Sequence, residues 1–216
     1  DVIAEWKKET GKNPIVALSA TRDVQDAILS DPERAKHIQV IDIRYWHYQA
    51  DGTPYAPKGG QNLAPRQHAR LMKPKKTSME QVYRAVSEYR QQFPNKAVLY
   101  HGDNYPEMAW ASFMAGGSLA NIPAVEDKNI FQQASSMTPK DVDGVWTLQK
   151  EGKGAIIYHT EGTSWVFDAS AFKGDFQIYH IDPKSGKILA KERIKLGKKV
   201  TFNKHKDTEI LWITKK

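Results

Sequence analysis

The spacing of apolar residues changes once along the chain, near Met137-Thr138-Pro139, and this change sets what the polypeptide can fold into. Before it, helical and strand patterns alternate; after it, apolar residues recur at every second position. Val2, Ile3 and Trp6 share one face of a short helix that Gly11 and Asn13-Pro14 end. Residues 15–20 read as a buried strand, and Thr21 as the N-cap of a helix with the apolar stripe Val24, Ala27, Ile28 and Leu29. Residues 38–46 form the next strand. Ser78 then caps a helix carrying Val82, Tyr83, Val86 and Tyr89, which Phe93-Pro94-Asn95 breaks before a third strand at 96–100. Pro106 fits the first turn of a last helix with Met108, Trp110, Phe113 and Met114, stopping near Gly116-Gly117.

Alternation of helices with continuous apolar strands is the pattern of parallel βα units. Three such units leave raw edges and an uncovered sheet face, so the sheet calls for completion by further polypeptide. After Pro139, seven strands are expected, at 144–149, 154–160, 164–170, 175–182, 188–195, 198–203 and 208–215. Turn signals at Gly152, Glu161-Gly162, Lys173-Gly174, Asp182-Pro183-Lys184-Ser185-Gly186 and Gly197 separate them. That spacing argues for a small antiparallel β-sandwich. The expected organisation is an α/β domain at 1–124, a connector at 125–138 and the sandwich at 139–216.

With 40% hydrophobic and 26% charged residues, the composition excludes a disordered polar tract. No apolar run reaches the length of a membrane span. Cysteine is absent, which removes disulfides, thiolate zinc sites and a cysteine nucleophile, and fits an exported bacterial protein. The chain opens at Asp1 inside a helical pattern, without an initiator Met or signal peptide, so a missing upstream segment is expected. The net charge of +7 hints at an anionic partner. Its densest part, Lys191, Arg193, Lys195, Lys198, Lys199, Lys204 and Lys206, alternates with Ile194, Leu196, Val200 and Phe202. That is the pattern of a solvated strand face, and no nucleic-acid partner is expected.

In parallel βα architecture, chemistry collects where strands end. The second strand places Val40, Asp42, Arg44 and Trp46 on one face and Ile41, Ile43 and Tyr45 on the other. Asp42 and Arg44 on a buried strand form either a structural ion pair or a polar pocket with aromatic walls from Tyr45 or Trp46 and Tyr48. Sugars suit such a pocket, since their C–H faces pack on rings and their hydroxyls need polar partners. The third strand ends in Tyr100-His101-Gly102-Asp103-Asn104, which puts His101, Asp103 and Asn104 at the rim, or the last two in a loop cap. The long stretch 49–77 is of functional length; it holds Asn62, and its Arg66 and Arg70 could clamp an acidic group or lie in a solvated loop. Neither phosphate-loop pattern occurs. The seven histidines show no metal-binding spacing, so neither a metal nor a cofactor is expected.

The stretches LSATRDVQDAIL, IDIRYWHYQADGTPYAPKGGQNLAPRQHAR and GDNYPEMAWASFMAGGSLANIP resemble the C-terminal part of glycoside-hydrolase-like TIM-barrel proteins of polysaccharide-degrading bacteria. Gly144-Val145-Trp146, Tyr179 and the Asp182-Pro183-Lys184-Ser185-Gly186 turn resemble the collagen-binding-type β-sandwich domain that follows such barrels. The resemblance implies a fold of α/β plus all-β class: three βα units forming the sixth to eighth strands of a (β/α)8 barrel, then the sandwich. Glycosidases of this kind need two carboxyls about 5 to 9.5 Å apart. In the large clan of such barrels the acid/base lies on the fourth strand, outside this chain, and the nucleophile is a Glu ending the seventh, where this sequence has Asp42.

The resulting expectation is a secreted, periplasmic or cell-surface protein that hydrolyses O-glycosidic bonds of a polysaccharide or oligosaccharide when whole, this chain alone being inactive. Asp42, Arg44 and His101 are the catalytic candidates; Trp46, Tyr48, Asn62, Arg66, Asp103 and Asn104 are the substrate-binding ones. The partners are a carbohydrate and the N-terminal part of the barrel, from the same protein or a companion chain. The alternative is a non-catalytic accessory protein that binds a glycan or a matrix protein.

Overall fold

A computed structural model describes residues 2–44, 47–54, 77–101, 108–142, 144–160, 162, 164–203 and 206–215. Tyr45, Trp46, Asn62, Arg66, Arg70, Asp103, Asn104 and Pro106 lie outside the described residues. The chain divides into two compact units, one of Asp1–Met108 with Gly117–Leu119, the other of Ala109–Gly116 with Ala120–Lys216.

The first unit is built on a three-stranded parallel sheet of order β1-β2-β3, with β1 Ala17–Leu18, β2 Val40–Ile43 and β3 Ala97–Tyr100. Its helices are α1 Val2–Thr10, α2 Arg22–Leu29, α3 Pro32–Ala35 and α4 Met79–Gln92. β2 is central, and Ile41, Ile43 and Val98 are buried as a two-sided strand pair requires. Ser78 caps α4 by accepting the Gln81 N–H, and Val82, Tyr83, Val86 and Tyr89 form its buried stripe. The expectation of a buried first strand is corrected. Only two residues pair, and Ile15 is 81% exposed, because β1 is the sheet edge and has a hydrogen-bonded neighbour on one side only among the described residues. α1 forms as expected, with Gly11 in the left-handed region after its last turn, but it buries none of its residues.

The second unit contains α5 Ala109–Met114, α6 Asn129–Ala134 and eight strands. These are β4 Thr138–Val142, β5 Val145–Lys150, β6 Gly154–His159, β7 Trp165–Asp168, β8 Gly174–Ile181, β9 Ile188–Leu196, β10 Lys199–Phe202 and β11 Glu209–Lys215. Six make an antiparallel sheet of order β4-β5-β6-β11-β8-β9, and β10 and β7 pair separately. β4 is additional to the seven expected strands. It holds Pro139, at the change of apolar spacing, on an edge strand, where proline is tolerated.

β11 is buried on both faces. Leu211 and Ile213 join Ile157, Ile178, Trp165, Phe167 and Phe172 in one core to which both sheets contribute. On the opposite face Trp212 stacks on Tyr179 at 4.6 Å, and its indole N–H donates to Gln133 of α6 at 3.0 Å. α6 thus occupies part of the expected connector, anchored by Ile130 and by a 2.7 Å bond from Gln133 to Thr214. α5 packs on β5 and β6, and its Trp110 donates to the Pro183 carbonyl at 2.8 Å. Asp182 accepts from the Lys184 N–H and the Ser185 hydroxyl, and Gly186 at φ +72° lies against the Ala124 backbone, where a Cβ would clash. The Asp-Pro-Lys-Ser-Gly run is therefore a tight turn whose glycine fits both by dihedral and by space.

Candidate functional site

The sequence places a carboxylate on the central strand of the parallel sheet, close to its C-terminal end. Asp42 is 6% exposed. Its Oδ2 lies 3.7 Å from the Arg44 Nε, and its Oδ1 lies 3.7 Å from the His101 Nδ1. The His101 backbone N–H donates to the Ile43 carbonyl at 3.0 Å, extending the ladder one residue past β3 and setting the imidazole beside the carboxylate. Arg44 and His101 are roughly half exposed, so two solvent-facing nitrogen groups stand over a covered anion. Among the described residues, Asp42 Oδ1 has no hydrogen-bond partner although it is buried. A buried oxygen of this kind is an acceptor held without a donor, an unusual state. The three catalytic candidates thus come together at the place where parallel βα architecture concentrates chemistry.

Gln25, which the apolar-stripe reading of α2 passes over, holds this end of the sheet. It is fully buried, and its Nε2 donates to the carbonyls of Leu18 and Asp42, both at 2.9 Å, joining β1 to β2. With both amide protons spent, its Oε1 accepts from the His47 Nε2–H at 3.1 Å, which assigns the tautomer of that imidazole. Burial, and then the nearby Arg22 cation, push His47 down to about 3, so it is neutral at ordinary pH. Thr21, Gln25 and Leu29 are four residues apart in succession and all buried. That spacing is the signal by which the sequence marks Gln25 as inward-facing.

Tyr48 is corrected from a sugar-stacking wall to part of the support. It is 3% exposed, its hydroxyl donates to Glu88, and the guanidinium groups of Arg22 and Arg84 lie over its ring at 4.5 and 4.0 Å. Arg22 also bonds Glu88 at 3.0 Å and Asp26 at 3.3 Å, while Tyr89 donates to Asp26 at 2.7 Å. The charges and the ring of this cluster are engaged with one another, which leaves no ring face for a ligand.

The second unit holds a polar cluster that sequence reasoning missed. Buried Glu209 sits between His159 Nδ1 at 3.4 Å and His180 Nδ1 at 2.8 Å, and His180 Nε2 reaches Glu192 at 3.3 Å. The hydrogen bond to Glu209 raises the His180 value above the usual imidazole range, against the opposing effect of partial burial. Lys191, Arg193 and Lys195 lie exposed along β9, an edge strand. No group of three His, Cys, Asp or Glu side chains among the described residues is arranged to hold a metal ion. No described helix is long and apolar enough to cross a membrane.

Residues 1–137 match the family model described as Domain of unknown function (DUF6298), and the chain belongs to that family. Its fold is similar to that of a glycoside hydrolase family 5 structure from Bacteroides vulgatus ATCC 8482, with a TM-score of 0.54 at 11% identity. A second structure, titled glycoside hydrolase, gives a TM-score of 0.50 at 13% identity. The matches cover 98% and 99% of this chain but 57% and 66% of those chains, so it spans little more than half to two thirds of their length. At such identities the likeness is one of fold. No curated protein matches the sequence.

Proposed function

We propose that this chain is the C-terminal part of a carbohydrate-active, glycoside-hydrolase-like (β/α)8 barrel followed by an accessory β-sandwich, and that Asp42, Arg44 and His101 are its contribution to the sugar site. The supporting observation is the covered Asp42 carboxylate, near the end of a parallel strand, with one oxygen lacking a donor among the described residues. A sugar hydroxyl supplies that donor. Arg44 and His101 flank the carboxylate and orient the same ring from the solvent side. Glycoside hydrolysis needs a second carboxyl about 5 to 9.5 Å away, which in this reading comes from the N-terminal part of the barrel. Trp46, Asn62, Arg66, Asp103 and Asn104 complete the sugar contacts, and the whole protein acts outside the cytoplasm.

The test is turnover of glycans by the whole protein and by its Asp42→Asn variant. A loss of at least ~100-fold in kcat is expected from removing a group that takes part in proton transfer or charge stabilisation. Unchanged turnover would remove Asp42 from the mechanism. The non-catalytic reading draws on one observation: the ion-pair partners of Asp42 among the described residues are the basic groups Arg44 and His101, an arrangement that also suits a structural ion pair. Glycan binding by the whole protein without turnover would select that reading.

A further inference from the structure

The second unit contains a cavity of about 330 Å³ that the strand-end cluster does not use. It opens between β4, an edge of the six-stranded sheet, and β7 of the two-stranded one, with β5 and residues 170–172 completing its wall. Trp165 lines it. This side chain is 7% exposed and stacked on Phe202 with ring planes 13° apart, yet its indole N–H has no hydrogen-bond partner among the described residues. A buried donor without an acceptor is rare in folded proteins, since it has given up water for nothing in return. Gln149 and Glu151 also line the cavity, and their side chains make no hydrogen bond or ion pair among the described residues. Val142 and Val166 add apolar surface at 39% and 50% exposure.

These features select the occupant. Its volume is at the small-molecule end of binding sites. Charge is mixed rather than basic: Lys140 stands against Glu151 and Asp168, and the Asp168 carboxylate is already bonded to Ser170. An anionic ligand therefore gains little. An added peptide strand is disfavoured as well, because the β4 edge carries Pro139, which has no N–H, followed by charged Lys140 and Asp141. What remains is a compact neutral molecule with hydroxyls for the indole N–H, amide and carboxylate, and C–H faces for the two valines.

We propose that this cavity is a second glycan-binding site, taking one or two neutral sugar rings. Trp165 Nε1 donates to a ring or hydroxyl oxygen, Gln149 and Glu151 bind neighbouring hydroxyls, and Val142 and Val166 pack on the sugar face. The inference stands on the second unit alone and does not depend on the role of Asp42.

Calorimetric titration of the 216-residue chain with cellobiose, xylobiose, mannobiose, galactobiose and digalacturonic acid tests it. Saturable binding of at least one neutral disaccharide is expected, weakened roughly tenfold by Trp165→Phe, which keeps the ring and deletes the N–H. If that core substitution unfolds the chain, Gln149→Ala and Glu151→Ala at the cavity wall are expected to weaken binding severalfold. No binding across the panel, binding of digalacturonic acid alone, or affinity unchanged in all three variants would overturn the proposal. Binding lost in Asp42→Asn but kept in Trp165→Phe would overturn it too, by placing the sugar at the strand-end cluster. Retention of the chain on a collagen peptide, abolished by the same cavity variants, would replace the sugar by a protein ligand.

Discussion

The two units bury different things. In the parallel unit the strand ends are held by polar groups: Thr21, Gln25, Asp42 and His47 are all nearly inaccessible, and Gln25 alone bonds two strands and an imidazole. In the antiparallel unit a continuous core of Ile157, Trp165, Phe167, Phe172, Phe176 and Leu211 carries the packing, and the buried Glu209 pairs with histidines at the ends of β6 and β8. Apolar burial stabilises in proportion to area and tolerates small shifts, whereas a buried polar network depends on every partner being present. The parallel unit therefore holds precise positions, and the antiparallel unit holds itself together.

The largest effect that would break this contrast is expected from Trp212→Ala. That side chain is 2% exposed, stacked on Tyr179 and bonded to α6, so truncation should cost about 3–5 kcal/mol in denaturant unfolding of the antiparallel unit. A loss under about 1 kcal/mol would mean that this face does not carry the unit.

A second test uses acid. Unfolded His47 takes up a proton below its ordinary value near 6.5, while the folded imidazole stays neutral until about 3. The unfolded state thus binds more protons between these limits, and the parallel unit should lose stability as pH falls through this window, on the order of 4 kcal/mol at its lower end. His47→Asn should flatten that slope in local hydrogen exchange. His180 has the opposite sign: its value is raised, so its contribution is complete below about 6.5 and fades as pH rises through the folded value. The two units should soften at opposite ends of the pH range, and identical pH profiles would refute the assignment.

The smallest effect should come from Ser78→Ala at the start of α4. Its cap bond is 3.4 Å long, so the cost is expected at the lower end of capping effects, about 0.5–1 kcal/mol by thermal unfolding.

Much of this architecture was legible in the residues. The Ser78 cap with Val82, Val86 and Tyr89 defines α4, and period-two alternation marks β5 to β11 to within a residue or two. Asp42 was marked by the cost of a carboxylate on an apolar strand, and His101 by its place after the next one. The burial of Tyr48 has no sequence signal, because an aromatic ring beside a polar cluster looks the same whether it faces solvent or lies beneath two guanidinium groups. Gln25 was passed over because glutamine is ordinarily a surface residue, and β4 because Pro139 is ordinarily a break.

Local periodicity and turn chemistry act between neighbours in the chain, so the order of residues is enough to mark a helix–strand half and a period-two half, most element positions and a carboxylate near the end of β2. Pairing across 17 to 63 residues, as in Gln25 with Asp42, Gln25 with His47 and Tyr89 with Asp26, has no local signature. Which polar groups are tied to one another at the strand ends follows from the folded arrangement alone, because a hydrogen-bonding group is satisfied or left wanting by atoms that the fold, and not the chain order, brings to it.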